Sequence, residues 1–344
     1  MGYGIKRKAN FIKIALLILI LLGFAIFSVT QGTVKIPVSN VLSIILSSEA
    51  EASIKPAHIF IVENVRLPRI LLSACVGGML AVIGTVFQAL FKNPMADPYV
   101  MGVSSGAAFG ATLGIVFGVG VSLASLSLVS MMAFVGAMVT LIVVYTLASA
   151  GGKIATTSIL LAGIVVNAIL SSLISFIMIM YHNEIDRIVT WTMGSFNAAS
   201  WEHLKLIVIP MVIGIAYMIS LSRELNVLNL SEEDAKNMGV DVERVKKIAL
   251  VVASLLAAFS VSVSGIIGFV GLIVPHFFRM IFGSDHRLLL PVSFIGGALF
   301  MLICDTLARS ILPNMEIPVG IITSIIGGPF FLILLHKHKK KMEN

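Results

Sequence analysis

Residues 66–111 read RLPRILLSACVGGMLAVIGTVFQALFKNPMADPYVMGVSSGAAFGA, and this stretch decides the fold. Between Arg69 and Lys92 runs an apolar segment without a single charge. At the helical rise of about 1.5 Å per residue it is long enough to cross a bilayer core of about 30 Å, and it is too long for a strand. A turn rich in Asn and Pro follows, then a second apolar run. The pair reads as two membrane helices joined by a short turn.

The same pattern repeats outward in both directions. Apolar runs predict spans near 11–30, 68–91, 100–120, 127–149, 156–180, 203–221, 247–265, 267–282, 288–308 and 317–335. Of 344 residues 58% are apolar and only 12% are charged, with a mean hydropathy of +1.04. A soluble domain is usually about a quarter charged, so an ordinary soluble enzyme and a disordered chain are both excluded. The alternating segments of an outer-membrane barrel are absent. The chain is predicted to be all-α, a polytopic membrane protein of about ten transmembrane helices forming a single transmembrane domain over 1–344.

The charges set its orientation. Lys6, Arg7 and Lys8 precede the first run as in a signal peptide, but the run is longer than an h-region and lacks an Ala-x-Ala site, so it reads as an uncleaved span. With the N-terminus inside, the inner loops and ends hold 17 of the 24 Lys and Arg residues. The outer side holds 7: Lys35, Lys55, Arg66, Arg69, Arg187, Lys205 and Arg309. This asymmetry places both termini in the cytoplasm. The net charge of +7 is thereby a topology signal that calls for no nucleic acid. Cys75 and Cys304 lie inside apolar runs and read as small packing groups.

Gly102, Gly106, Gly110, Gly114 and Gly118 recur every four residues in the third span. Four residues advance about 400°, so they form a slowly winding stripe that lets a neighbouring helix approach closely.

Catalytic and motor signatures are missing. Gly152-Lys153 is followed by Ile154, which breaks the phosphate-loop pattern. No His or Cys pair stands at metal-ligand spacing, and no nucleophile elbow occurs. Neither a catalytic residue nor a metal site nor a bound cofactor is expected. Asp305 is the main acid within a span, and Arg309 one turn later is placed to pair with it. Ion-coupled carriers normally need more buried ionisable groups, so a gradient-driven transporter of a small organic solute stands second and an intramembrane enzyme third.

The largest inner loop, 222–246, is dense in charge. Ser231 is placed to cap a short helix, with Glu232, Glu233 and Asp234 in its first turn and Gly239 to end it. Such an element fits either a docking site for a soluble partner or a merely structured loop. On the fifth span Asn167, Ser171 and Ser175 recur at i, i+4 and i+8. A polar stripe of this kind fits either a water-filled cavity or interhelical hydrogen bonds.

The opening stretch, together with GFVGLIVPHFFRMIFGSDHRLLLP (268–291) and CDTLARSILPNMEIPVGIITSIIGGPFF (304–331), resembles the membrane permeases of ABC importers for iron-siderophores, haem and vitamin B12. The likeness runs from about 60 to 335, with Met95 and Ile317 standing where Leu is usual. It implies a type II importer permease in the plasma or inner membrane, working as a homodimer with its pathway at the dimer interface. Two ATPase subunits would supply ATP and Mg chemistry, and an extracytoplasmic binding protein would deliver a metal chelate, iron-siderophore first and haem or cobalamin next.

The resemblance also assigns roles. The loop 222–246 would carry the coupling helix that docks on the ATPase. Arg66, Arg69 and Arg309 would receive glutamates of the binding protein, a task suited to bidentate guanidiniums. The alternative is snorkelling to the interface plus the Asp305–Arg309 pair. The fifth-span stripe would line the pathway, and a cytoplasmic gate would lie at Asn93–Met95 and Thr156–Thr157. His276 and Arg279 match a family motif, for which capping or loop contacts are the expected use.

Overall fold

Helix-forming apolar runs dominate the computed structural model, which describes residues 2–46, 54–118, 123–150, 153–154, 156–230, 232–312 and 315–342. The first long helix, α1 (Gly2–Thr30), is followed by the short α2 (Val38–Leu46) and α3 (Pro56–Phe60). A π-type turn over Ile61–Arg66 leads directly into α4 (Leu67–Leu90). Next come α5 (Val103–Phe117), α6 (Leu123–Ala148), α7 (Thr156–Met180), α8 (Ile185–Thr192) and α9 (Trp201–Ser220). The inner loop forms α10 (Ser222–Leu228) and α11 (Glu232–Asn237), and the chain finishes with α12 (Val242–Ser264), α13 (Val270–Phe282), α14 (His286–Ala308) and α15 (Val319–Met342). A two-residue antiparallel bridge pairs Ser149–Ala150 with Lys153–Ile154 at the α6–α7 turn.

Each of the ten predicted spans coincides with a helix. Seven helices are long and apolar enough to cross a membrane, and three shorter apolar ones cover Val103–Phe117, Val270–Phe282 and Val319–Ile333. The short members explain the close-set pair near Gly265. Helix α12 stops at Ser264 and α13 starts only at Val270, leaving Gly265 and Phe269 with positive φ of 68° and 71°. A Cβ on Gly265 would lie 2.2 Å from the Trp191 carbonyl oxygen, so glycine alone fits the break. Thirteen residues of α13 rise only about 20 Å, so this non-helical link sits at membrane depth, where backbone must be covered by protein or line a cavity.

Helix α4 is the axis of the bundle. The apolar window of its span is 83% buried, with Met79, Val82, Val86 and Phe87 fully enclosed. It packs on α9, α12, α13 and α14. The α4–α14 seam is set by Gly77 and Gly297, because a Cβ on either would come 2.3 Å from the other's carbonyl oxygen. Lipid offers no hydrophobic drive between helices, so such close approach supplies the dispersion contacts instead.

Arg66 and Arg69 flank Pro68 in the first turn of α4. Helical backbone continues upstream as well, running unbroken from Pro56 to Leu90, 35 residues, with the π-type turn immediately before α4. Proline lacks an N–H and its ring clashes with a carbonyl one turn back, and the widened turn accommodates both defects.

The glycine stripe divides in two. Gly106, Gly110 and Gly114 face α6, where a Cβ on Gly110 would stand 2.0 Å from the Met132 carbonyl oxygen. Gly102 and Gly118 are the caps of α5, Gly102 with a φ of 77°. Among the described residues, the short helices α2, α3, α8, α10 and α11 lie outside the predicted spans. Each is too short to register as a membrane run.

Candidate functional site

Three arginines and two carboxylates converge where α1 ends, α4 begins and α14 ends. Arg69 donates to Asp305 Oδ1 from Nε at 3.0 Å and from Nη2 at 2.8 Å, and to Glu316 Oε2 from Nη1 at 2.8 Å. Arg309, one turn beyond Asp305, brings its Nε within 3.5 Å of Asp305 Oδ2, so the i, i+4 ion pair read from the sequence is present. Asp305 is wholly buried between the two guanidiniums.

The remaining arginine nitrogens turn toward α1. Arg66 Nη1 donates to the Val29 carbonyl at 2.5 Å, and Nη2 to that of Val34. Arg309 donates to the carbonyls of Gln31 and Ser28 and, at 2.7 Å, to Ser28 Oγ. Ser28 Oγ also lies 2.8 Å from Thr306 Oγ1. The last carbonyls of a helix have no partner within it and carry the negative end of its dipole. Two guanidiniums satisfy them here.

The three arginines are 5%, 7% and 4% exposed, for Arg66, Arg69 and Arg309 respectively. The sequence reading offers them to a partner's glutamates, whereas in this structure their N–H groups point into the protein. The cause is local: Asp305 lies beneath them and the end of α1 above, both nearer than solvent.

At the inner side, α10 seats Leu225, Val227 and Leu228 in the core. Ser231 falls outside the described residues, while Glu232 and Glu233 open α11 with side chains that are likewise outside the description. Asp234 is exposed in the same turn, Ala235 is buried, and Gly239 ends the segment with a φ of 79°. Asp241 then caps α12 by accepting from the Arg244 N–H at 3.1 Å.

The turn after α4 touches this loop, because Lys92 Nζ donates to the Leu230 carbonyl at 2.5 Å. Asn93 Oδ1 accepts from the Met95 N–H at 2.9 Å, fixing an Asx turn whose Met95 side chain is exposed. Asp97 accepts from the Tyr99 N–H at 2.8 Å. Burial pushes its carboxyl up to about 6. Thr156 and Thr157 open α7, their side chains outside the described residues. Arg279 lies in the last turn of α13, the place where a cation meets a helix dipole favourably.

Asn167, Ser171 and Ser175 lie on an exposed face of α7. Ser175 Oγ donates to the Ser171 carbonyl of its own helix at 2.9 Å. The window of α7 is only 17% buried, and Leu161, Val165, Ile169 and Phe176 accompany the polar stripe outward. Sequence reasoning missed a cavity of about 570 Å³ where the end of α8, the 265–269 link and the start of α15 meet. Thr192, Ile266, Gly268 and Ser324 line it. The only advance signal was the Gly-rich break itself.

Helices long and apolar enough to cross a membrane, with an ion-pair cluster where α4 begins and α14 ends, define a polytopic membrane protein. Its sequence matches the FecCD transport family over residues 17–337. The chain belongs to that family, the permeases of ABC importers. It is 42% identical over 318 residues to the cobalamin import permease BtuC of Halobacterium salinarum, covering 90% of this chain and 84% of that protein. It is 40% identical over 293 residues to the hemin transport permease HmuU of Yersinia pestis, covering 83% and 85%. A solved inward-facing metal-chelate type ABC transporter superposes with a TM-score of 0.83 at 34% identity, covering 96% of this chain and 99% of that one.

Proposed function

We propose that this permease carries a metal chelate into the cytoplasm through a pathway formed with a second copy of itself, driven by two ATPase subunits and supplied by an extracytoplasmic binding protein. The observation that carries the reading is a helical bundle of the FecCD transport family in which the acid buried in the α4–α14 seam, Asp305, is held by Arg69 and Arg309 and so is not free to carry a coupling proton or ion. Energy therefore enters from outside the chain, and the loop 222–246 with Ser231–Asp234 and Gly239 is the segment that meets the ATPase. ATP and Mg belong to that partner. The bare face of α7 with Asn167, Ser171 and Ser175 meets the second copy and lines the pathway, which Asn93–Met95 and Thr156–Thr157 gate on the inner side.

The names of the relatives at 42% and 40% identity point to cobalamin or haem as the first cargoes to test, with iron-siderophores next. Proteoliposomes holding the permease, its ATPase and its binding protein should take up the chelate only with ATP, and uptake should survive collapse of the proton and sodium gradients. Uptake by the permease alone down an ion gradient would overturn the reading.

A further inference from the structure

The inner end of α14 is fastened to the cytoplasmic loop through one side chain. Asn226, on α10, accepts at Oδ1 from the His286 N–H at 2.8 Å and lies 2.7 Å from His286 Nδ1. Its Nδ2 donates to Asp285 Oδ1 at 2.7 Å. Asp285 also caps α14, accepting from the Arg287 N–H at 3.0 Å. His286 is buried, so its contacts with Asn226 are shielded from water and hold firmly.

From that joint α14 runs 23 residues, about 35 Å, and helical geometry continues through Pro291. Along the way Gly297 presses on Gly77 of α4, and Gly296 receives the ring of Phe278 from α13. At its far end sit Asp305 and, capping it, Arg309, which hold Arg69 and the end of α1. One packed helix thus links the inner loop to the outer ion-pair cluster.

We propose that Asn226 is a positioning residue for energy coupling: it makes the inner loop and α14 move as one body, so that a displacement imposed on the loop reaches Asp305 and Arg309. The proposal rests on the reading of 222–246 as the ATPase-docking segment. Rigid packed elements with discrete arrangements are the means by which distant sites are coupled.

The test uses the permease reconstituted with its ATPase and binding protein. In N226A the ATPase should still co-purify and hydrolyse ATP within about twofold of the parent, while chelate taken up per ATP falls at least about fivefold. In N226D the two carboxylates repel, and uptake per ATP should fall likewise. The exchanged pair N226D/D285N restores a donor opposite an acceptor, keeps a good cap residue on α14, and should recover most of the coupling. Parental uptake per ATP in N226A would overturn the proposal. So would failure of N226D/D285N to improve on N226D, which decides the matter even if N226A does not assemble. A parent chain that binds no ATPase would instead strike the reading of the loop.

Discussion

Arg69 of α4 and Asp305 of α14, 236 positions apart, meet in a two-point buried ion pair, with Nε and Nη2 both directed at Oδ1. Removing one partner leaves the other charged and dry, which typically costs about 3–5 kcal/mol. D305A should therefore lower the melting temperature of the detergent-solubilised protein sharply. The doubly apolar R69M/D305L should melt above D305A, because one buried guanidinium fewer is left facing the vacated carboxylate site. Equal melting of the two would show that the pair does not hold the α4–α14 seam.

Docking of the binding protein is best probed at Arg66, whose partners are the carbonyls of Val29 and Val34. R66Q loses the charge, and its shorter single amide cannot span both carbonyls. The affinity of the binding protein should drop about tenfold, in line with the 1.5–3 kcal/mol of a charged hydrogen bond. Unchanged affinity in a surface-plasmon titration would remove these arginines from the interface. Charge reversal at Arg69 is a poorer probe, since it would set a third carboxylate beside Asp305 and Glu316.

Close backbone approach gives a contrast between two glycines. A Cβ on Gly84 would lie 1.9 Å from the Gly271 carbonyl oxygen, whereas one on Gly328 would meet nothing within 4 Å. G84A should cost about 1–3 kcal/mol by forcing α4 from α13. G328A should leave the melting temperature level or raise it. A size-exclusion melting series on both variants checks this, and equal behaviour would contradict the packing.

Asp97 supplies a pH dependence. Its folded value of about 6 exceeds the ordinary 3.8, so the native state holds a proton that the unfolded chain releases. Its contribution is full below the unfolded value and is lost as pH rises through about 6. Melting measured from pH 4 to 8 should decline over that window. D97N, neutral throughout and still able to accept from the Tyr99 N–H, should flatten the decline. A decline of parental size in D97N would assign it to other groups.

The ten apolar helices, seven of them long enough to cross a membrane, were legible because a long apolar run has few other uses. The Asp305–Arg309 pair was legible too, since helical spacing alone sets it. The inward turn of the arginines was not. It depends on Ser28, Gln31, Val34 and Glu316, which no local pattern ties to Arg66 or Arg69. The same holds for Asn226, whose partners lie 59 and 60 residues away. The π-type turn before Pro68 leaves no periodic trace, because a single widened turn shifts the helix face without interrupting the apolar run.

Helix α7 touches its own chain little: its window is 17% buried, against 83% for the span that contains α4 and 11% for that of α1. A helix so loosely held by its own sequence takes its resting place from whatever lies beyond it. Substitutions on its outer face should accordingly be silent in the isolated chain and felt only in the working assembly. A stability screen on the monomer would pass over the surface that the proposed pathway uses.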